Sequence, residues 1–359
     1  MNQEQVYQWY REIHERMPLS KWQARGLAIF SLGVVWSERS TLSKVAEKMW
    51  PFGRAESLER RLRRWIANPR IVIEACCRQW AKWVIGSVID RGRIILLVDL
   101  TKLSDRLDIM MVGLAYRGRC IPLAWRCLPG NQPWPQSQVA VIADLLGWVS
   151  SGVPEDCVPL VEADRGLGNS SDLMRVVKGM GWHFLFRVND SSSLRLGDGR
   201  QVKLSDLIRP GKHWSGTGAL FQDKQSLEVH AHLFWRRSMP EAWCLVTNAP
   251  DVTHALYARR VWQEEGFRDL KSGGWQWQRS QVRHLAHAQR LLLALALAYA
   301  WTLSLGTQAI RAGKALRRQL VSGRRRRLSV FRLGLRYLYH LLRSHQPPLM
   351  ALFFRPALT

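Results

Sequence analysis

Acidic residues are scarce in this sequence, and they are missing from its last quarter. The 359 residues include 28 Asp and Glu against 53 Lys and Arg, which gives a net charge of +25 at pH 7 and an isoelectric point near 10.8. Residues 271–359 contain 16 Lys or Arg and no Asp or Glu. A surplus of one sign attracts polyanions, so the sequence predicts a nucleic-acid partner. A basic tail that only keeps the protein in solution is the alternative for the final stretch.

Other absences disfavour whole classes of protein. The opening residues are polar and include acids, so we expect no secretory signal. The most apolar run, 291–305, is interrupted by polar side chains and is shorter than a membrane span, which predicts a buried core helix. The six cysteines include no CxxC pair, which argues against a zinc site or a disulfide framework. We therefore expect reduced thiols, a cytoplasmic location and no membrane partner.

Residues 1–90 are predicted to form a helical, DNA-binding domain. Apolar residues recur at three- and four-residue steps over 22–35, and residues 50–53 interrupt the pattern with Pro and Gly. The helix predicted after this break carries a group of arginines, namely Arg54, Arg60, Arg61, Arg63 and Arg64. A short helix, a turn and an Arg-rich helix fit a helix-turn-helix unit that enters the major groove. A helical bundle with a solvated basic face fits equally well.

Residues 91–310 combine short apolar runs with helical periodicity. The predicted strands cover 93–99, 109–116, 120–125, 157–163, 183–188, 227–233 and 242–247. Residues from about 189 to 250 are predicted to be a mostly β insertion, and the chain after Thr253 is predicted to be helical to about Ala312. This order is that of an α/β fold with a ribonuclease H-like core and an insertion before its last helix. Residues 311–359 are predicted to be a basic helical segment.

Two aspartates follow apolar runs, Asp99 in LLVDLT and Asp164 in LVEADRG. A carboxylate at a strand end is rigidly placed and still reachable by solvent, as a metal site requires. Mg²⁺ prefers carboxylate oxygens, and two such ions about 3.5–4 Å apart can activate a nucleophile and stabilise a leaving oxygen. Two aspartates alone are weak support, because one acid at a strand end is often only a helix cap or turn former.

A third segment, residues 257–271, adds four side chains at fixed spacing: Tyr257, Arg260, Glu264 and Lys271. At about 100° per residue these positions fall on one face of a helix. That face offers one carboxylate to a metal ion and surrounds it with donors for phosphate oxygens. The neighbouring acid, Glu265, is expected to point away and to pair with Arg268 in solvent.

This spacing resembles the bacterial insertion-sequence DDE transposases that carry a Tyr-x2-Arg-x3-Glu-x6-Lys segment. The motifs LLVDLT, ADRGLGN with the downstream Arg187, and KSGG are also similar to that family, and the resemblance spans about residues 40–305. It implies a ribonuclease H-like catalytic core with two Mg²⁺ ions, for which Mn²⁺ can substitute. The implied catalytic metal ligands are Asp99, Asp164 and Glu264, and the implied DNA contacts are Tyr257, Arg260, Lys271 and Arg187.

The resemblance further implies hydrolysis at the transposon end, attack of the freed 3′-OH on a phosphodiester bond, and a homodimer that holds double-stranded DNA in a synaptic complex. A hairpin intermediate would place a flipped base on Trp235 or Trp243, although both also fit ordinary core positions of strands. The chain is short for the family, so a separate dimerisation domain is expected to be missing or reduced. A nuclease without strand transfer and a DNA-binding regulator with an inactive site are the competing functions.

Overall fold

The computed structural model describes residues 3–88, 93–222, 225–321 and 328–354, and it has the mixed α/β architecture that the sequence predicts. The helices are α1 (Gln3–Arg16), α2 (Lys21–Ser37), α3 (Leu42–Lys48), α4 (Ala55–Ala67), α5 (Ile73–Ser87), α6 (Gln138–Ser150), α7 (Arg165–Gly168), α8 (Ser171–Gly179), α9 (His254–Tyr257), α10 (Val261–Leu270), α11 (Leu285–Arg311), α12 (Lys314–Leu320) and α13 (Val330–Arg343). The strands are β1 (Ile95–Ser104), β2 (Leu107–Tyr116), β3 (Arg119–Pro129), β4 (Leu160–Ala163), β5 (His183–Arg187), β6 (Ser193–Leu196), β7 (Gln201–Lys203), β8 (His213–Leu220), β9 (Leu227–Phe234) and β10 (Trp243–Thr247).

These strands form one 10-stranded sheet in the order β3-β2-β1-β4-β5-β10-β9-β8-β6-β7. Strands β1 to β3 make two antiparallel hairpins, whereas β4 pairs in parallel with β1, and β5 pairs in parallel with β4. Parallel neighbours need crossover connections, which α6 provides before β4 and α8 provides before β5. The buried centre of the sheet explains why the sequences of β1 and β4 begin as continuous apolar runs.

Strand β1 is longer than the sequence predicts, which corrects the position of Asp99. This residue lies in the middle of the strand, opposite Met111 of β2, and not at the strand end. Burial changes there: residues up to Asp99 are buried, and those after it are partly or fully exposed. The connection at residues 105–106 keeps the polar half of β1 paired with β2, and hydrophobicity alone does not indicate such pairing.

The segment predicted to be a mostly β insertion, about 189–250, contains β6 to β10. Its strands extend the same sheet, with β9 between β10 and β8. Buried residues alternate with more exposed ones along β9. One face of these strands therefore packs on the apolar core while the other remains polar.

The segment from Thr253 to about Ala312 is largely helical, as the sequence predicts, but its helices are interrupted twice. A 3₁₀ turn at Ala258–Arg260 separates α9 from α10, and an irregular segment separates α10 from α11. Glycine permits the second break: a Cβ at Gly274 would lie 2.0 Å from the carbonyl oxygen of Asp269. The fixed spacing of the segment therefore does not describe one regular helix.

Helix α11 is the central core helix, as its apolar sequence predicts. It is long and apolar enough to cross a membrane, but 94% of its most apolar window is buried inside the protein. The N-terminal helices share its hydrophobic core, with the ring centroids of Trp9 and Trp301 6.1 Å apart. The division at residue 90 into an independent helical domain stays a prediction.

Helices lie near both chain ends, although the described residues after Arg343 are irregular. Helix α4 buries Leu58, Leu62, Trp65 and Ile66, and its arginines are exposed. Helices α12 and α13 lie in the segment predicted to be basic and helical. The run of arginines at 324–327 lies outside the described residues.

Candidate active site

The two aspartates meet at the centre of the sheet, where β1 and β4 run in parallel. Val98 of β1 is opposite Ala163 of β4; Asp99 is the next residue of β1, and Asp164 follows the end of β4 directly. Asp164 keeps an extended backbone, with φ −75° and ψ 179°. The sheet register therefore brings two carboxylates that are far apart in sequence to adjacent positions.

Asp164 also caps the short helix α7, since its Oδ1 accepts a hydrogen bond from the backbone N–H of Leu167 at 3.1 Å. Its other oxygen faces the site. From the sequence, Asp164 is either a helix cap or a metal ligand. In the structure one carboxylate oxygen caps α7, and the other remains available to the site.

Arg260 joins the three acids. One terminal nitrogen, Nη2, donates to Oδ2 of Asp99 and to Oδ2 of Asp164, each at 3.2 Å. The other, Nη1, donates to Glu264. The Arg260 side chain is only 18% exposed, so a single delocalised cation sits where three carboxylates converge. Hydrogen bonds between charged groups in such a partly buried place are the strong ones.

Burial dominates the electrostatics of Asp99. Desolvation raises the pKa of its carboxyl to about 6, with Arg260 acting to lower it and Asp164 acting to raise it. The pKa of Arg260 is raised, because attraction to the carboxylates outweighs the opposite effect of its own burial. A cation beside Asp99 therefore opposes the effect of burial on this carboxyl.

Helix α10 directs neighbouring acids to different partners. Glu264 faces Arg260 with its side chain 54% exposed. Glu265 pairs with Arg268 at 2.7 Å, as the sequence predicts, but also with Arg119 of β3 at 3.3 Å, and its side chain is 23% exposed. The expectation that Glu265 pairs only in solvent is therefore corrected. Glu265 takes part in the contact between α10 and the sheet.

Sequence reasoning misses a buried group under α10. Asp269 accepts a hydrogen bond from Nε of Arg119 at 2.5 Å and one from the Tyr299 hydroxyl of α11 at 3.1 Å. Its side chain is 5% exposed. Burial raises the pKa of Asp269, and Arg119 opposes that effect. The group fastens α10 to both β3 and α11, so it fixes the helix that presents Glu264.

Lys271 reaches the site from outside the helix, which corrects the prediction that all four segment residues share one helical face. It follows α10 with φ −91° and ψ −129°. Its Nζ donates to Oγ1 of Thr101 and to the carbonyl oxygen of Lys102, both at 2.6 Å. Burial lowers the pKa of this ammonium. Lys271 therefore anchors the end of α10 to the polar half of β1.

Tyr257 and Trp243 lie together beside the acids. Tyr257 is 4% exposed, and its ring meets that of Trp243 edge-on with centroids 5.2 Å apart. Burial raises the pKa of the Tyr257 hydroxyl. Trp235 belongs to a different cluster, the main core, and its Nε1 donates to the carbonyl oxygen of Met239 at 3.1 Å. The structure thus brings only one of the two candidate tryptophans next to the site.

Arg187 of β5 is held by Glu241. Its Nη2 donates to Oε1 of Glu241 at 2.7 Å and to the carbonyl oxygen of Ala242 at 3.2 Å. Arg165 binds the other oxygen of Glu241 at 2.9 Å. Hydrogen bonding to Arg187 lowers the pKa of Glu241.

A further acid, Glu162, lies below the site. It is fully buried on β4, two residues before Asp164 and on the same sheet face, with neither carboxylate oxygen hydrogen-bonded to a described residue. Burial raises its pKa well above the usual range, and Arg259 opposes that shift. The sequence LVEADRG contains this residue, but an isolated Glu in an apolar run gives no signal of its environment.

The donor set suits a hard cation, since Asp99, Asp164 and Glu264 all offer carboxylate oxygens. Among the described residues, no three His, Cys, Asp or Glu side chains are placed closely enough to hold a metal ion together. The guanidinium of Arg260 contacts all three acids and occupies the place between them. A divalent cation fits the chemistry of the site, provided that the guanidinium moves away.

Comparison with known families supplies an independent finding. A family model described as a transposase DDE domain matches residues 143–301. No curated protein matches the chain. The matched span includes Asp164, α10 and most of α11, whereas Asp99 and the N-terminal helices precede it.

Proposed function

We propose that this chain, whose residues 143–301 match the family model of a transposase DDE domain, cleaves the ends of a mobile DNA element and joins them to target DNA. The reaction would be metal-dependent hydrolysis of phosphodiester bonds followed by strand transfer. The observation that carries the proposal is the convergence of Asp99, Asp164 and Glu264 on one guanidinium. Such a domain acts on DNA, and the net charge of +25 is consistent with that substrate.

The strand arrangement supports the finer fold assignment. Strands β3-β2-β1-β4-β5 combine an antiparallel half with a parallel half, which fits the ribonuclease H-like core that a DDE domain implies. On this interpretation, β6 to β9 are the insertion and α10 is the last catalytic helix. Helices α1 to α5 would form the DNA-binding domain at 1–90, and residues 311–359 the basic C-terminal segment.

The proposed cofactor is a pair of Mg²⁺ ions, replaceable by Mn²⁺, held by Asp99, Asp164 and Glu264. When bound, such ions supply a nucleophile at neutral pH and neutralise charge on the leaving oxygen. The protein contributes rigidity: the sheet register fixes Asp99 beside Asp164, and the Leu167 N–H fixes one oxygen of Asp164. The buried Asp269 pair fixes the helix that carries Glu264.

Arg260 has a second use once it leaves the acids. A guanidinium can donate two parallel hydrogen bonds to phosphate oxygens, so Arg260 would bind the DNA backbone next to the scissile bond. Lys271, fixed by Thr101, would add a second cation on the same side. Arg187 and Tyr257 are proposed as further DNA contacts, although Tyr257 is only 4% exposed and would have to be uncovered first.

If a hairpin intermediate forms, Trp243 is the better of the two candidates for a flipped base. It contacts Tyr257 beside the site, whereas Trp235 packs on the main core. Aromatic side chains stabilise unpaired bases by stacking. A homodimer on double-stranded DNA, in the cytoplasm and associated with the nucleoid, completes the proposal.

The test is incubation of the protein with duplexes that carry the terminal repeats flanking its gene, in Mg²⁺, with separate scoring of nicks, hairpins and joined products. Joined products support a transposase, and nicks without joining support the ribonuclease H-like nuclease. Binding without cleavage would indicate a regulator with an inactive site. Asp99→Ala and Asp164→Asn are the control variants. Both should abolish cleavage, because each removes a proposed metal ligand, and both should keep DNA binding. Asn is chosen at position 164 because it retains an oxygen that can cap α7.

A further inference from the structure

Four histidines gather on one side of the insertion strands. His213 belongs to β8, His230 and His232 to β9, and His254 to α9. In the sheet, Thr217 is opposite His230 and His213 is opposite Phe234, so these side chains project from the same face. His213 is exposed, and the other three histidines are partly buried. With Phe234 and Arg236 they form what is called here the imidazole face.

The imidazole face continues into the candidate active site. Phe234 is opposite Trp243, and Leu245, two residues further along β10, is opposite Arg187. Residues paired on neighbouring strands project from the same side of the sheet. Followed through the pairs of β5 and β4, this is also the side from which Asp99 of β1 projects. The acids and the imidazole face therefore lie on one side of the sheet.

Aromatic rings and a cation line this surface. The rings of Phe234 and His254 are stacked with centroids 4.4 Å apart and an interplanar angle of 16°. The guanidinium carbon of Arg236 lies 5.2 Å from the ring centroid of Phe234. The ring centroids of Phe234 and Trp243 are 6.4 Å apart. Aromatic platforms interleaved with cations are typical of surfaces that bind nucleic acid.

The charges that face the imidazoles are mostly positive. Burial, and then the neighbouring imidazoles His254 and His230, lower the pKa of His232, while a hydrogen bond with the Val252 backbone opposes the shift. Burial, and then His213 and Arg236, lower the pKa of His254. Glu228, exposed at the far end of β9, is the acid on this side of that strand, and Glu241 is paired with Arg187.

We propose that the imidazole face binds the DNA segment that extends beyond the scissile phosphate, and that protonation of its histidines strengthens this binding. The inference rests on the proposed function, because it takes DNA to be the substrate. Metal binding is the competing use of clustered imidazoles, but the nearby guanidinium of Arg236, which lowers the pKa of His254 after burial and His213, disfavours a second cation there. Charge complementarity and continuity with the acids favour DNA.

The sign of the pH effect follows from linkage. Phosphates favour protonated imidazole, so the pKa of each contacting histidine rises when DNA binds. The resulting gain in affinity is complete below the pKa of the free protein and is lost as pH rises through the pKa of the complex. Since imidazole ordinarily titrates near pH 6.5, and burial lowers the pKa of two of the four, the gain should appear between about pH 8 and pH 5.

The test measures binding of a fluorescein-labelled, random-sequence DNA duplex by anisotropy, in EDTA and at constant ionic strength, across this pH range. Wild-type affinity should rise about tenfold for each imidazole whose pKa moves by one unit on binding. His213→Gln/His230→Gln should remove most of the rise. His213→Lys/His230→Lys should bind more tightly than wild type at pH 8 and vary little with pH. His284→Gln/His287→Gln, which changes another pair of adjacent imidazoles, should behave like wild type.

The lysine variant guards against loss of fold, because a misfolded protein would not gain affinity. A wild-type affinity that does not change with pH would overturn the inference, as would a glutamine variant with the full pH dependence. Both outcomes leave the proposed function intact. A wild-type protein that binds no DNA at any pH would overturn the proposed function as well, so the two failures are distinguishable.

Discussion

Arg260 connects the two states that the site must adopt. Its guanidinium pairs with Asp99, Asp164 and Glu264 and offsets part of their negative charge, yet the proposed reaction needs that place for metal ions. Both cations cannot occupy it together, because each requires the same carboxylate oxygens. Loading of metal should therefore release Arg260 at the moment when a phosphate becomes available to it.

We predict that Arg260→Gln destabilises the metal-free protein by about 1–3 kcal/mol, since buried carboxylates lose their charged partner. Mg²⁺ should restore the loss by replacing the missing cation, so the rise in Tm on adding Mg²⁺ should be larger for the variant than for wild type. Calorimetry with and without Mg²⁺ measures both effects. If the Tm of the variant does not change when Mg²⁺ is added, the acids do not bind the ion. Arg259→Gln is the matched neighbour, and its Tm should respond to Mg²⁺ as that of wild type does.

Neighbouring acids on α10 give the sharpest prediction at this scale. Glu264→Gln should lose cleavage by several orders of magnitude, because a neutral amide cannot replace a charged metal ligand. Glu265→Gln should keep most activity, since an amide can still accept hydrogen bonds from Arg119 and Arg268. Single-turnover cleavage of a pre-formed DNA complex in Mg²⁺ distinguishes them. The reverse result would mean that the orientation of α10 is misassigned.

At the scale of elements, the sequence predicts strands better than it predicts where helices break. Apolar runs indicate the buried strands near Asp99 and Asp164, because burial on both faces leaves a strong compositional signal. The polar half of β1 carries no such signal, since its hydrogen bonds to β2 fix it in place. The break after α10 depends on the close approach of Gly274 to Asp269, a contact that periodicity does not contain.

The contacts of Asp269 that hold α10 against β3 and α11 can be tested separately from the cleavage reaction. Asp269→Asn leaves Arg119 with Glu265 as its charged partner and should cost about 1–3 kcal/mol of unfolding free energy, whereas Tyr299→Phe removes one hydrogen bond and should cost about 1 kcal/mol. If the group positions Glu264, Tyr299→Phe should lower the cleavage rate while DNA affinity stays unchanged. A Tyr299→Phe protein with a wild-type cleavage rate would leave Asp269 a role in stability alone. Denaturant unfolding and single-turnover kinetics separate the two effects.

At the scale of the whole molecule, the sequence predicts which residues are candidates for the site but not which residues surround them in the fold. The acids Asp99, Asp164 and Glu264 can be proposed from motif and spacing, yet their shared contact with Arg260 depends on the sheet register and on the 3₁₀ turn before α10. The buried Glu162 and the Asp269 group depend on long-range packing as well. Their side chains look ordinary in the sequence, because burial is a property of the folded chain.

The excess positive charge gives a prediction for the molecule as a whole. DNA binding should weaken steeply with salt, with a log–log slope of about −0.9 for each phosphate that the protein neutralises. Helix α4 carries exposed arginines, and the sequence has four more arginines at 324–327. Truncation cannot assess the tail, because removal of everything after Gly306 would also remove Phe331, which is fully buried in the core.

Substitution to glutamine avoids that problem. Replacing the four α4 arginines Arg60, Arg61, Arg63 and Arg64 should flatten the slope by about 0.9 for each phosphate that the variant no longer neutralises, because fewer counterions are then released. The same replacement at 324–327 should also flatten it if that run binds DNA. Titrations of a random-sequence duplex at several salt concentrations measure both slopes. A slope that neither set changes would leave these arginines a solvated surface and place the DNA-binding residues nearer the acids. A slope that only the α4 set changes would assign binding to the N-terminal helices and leave the run at 324–327 a role in solubility.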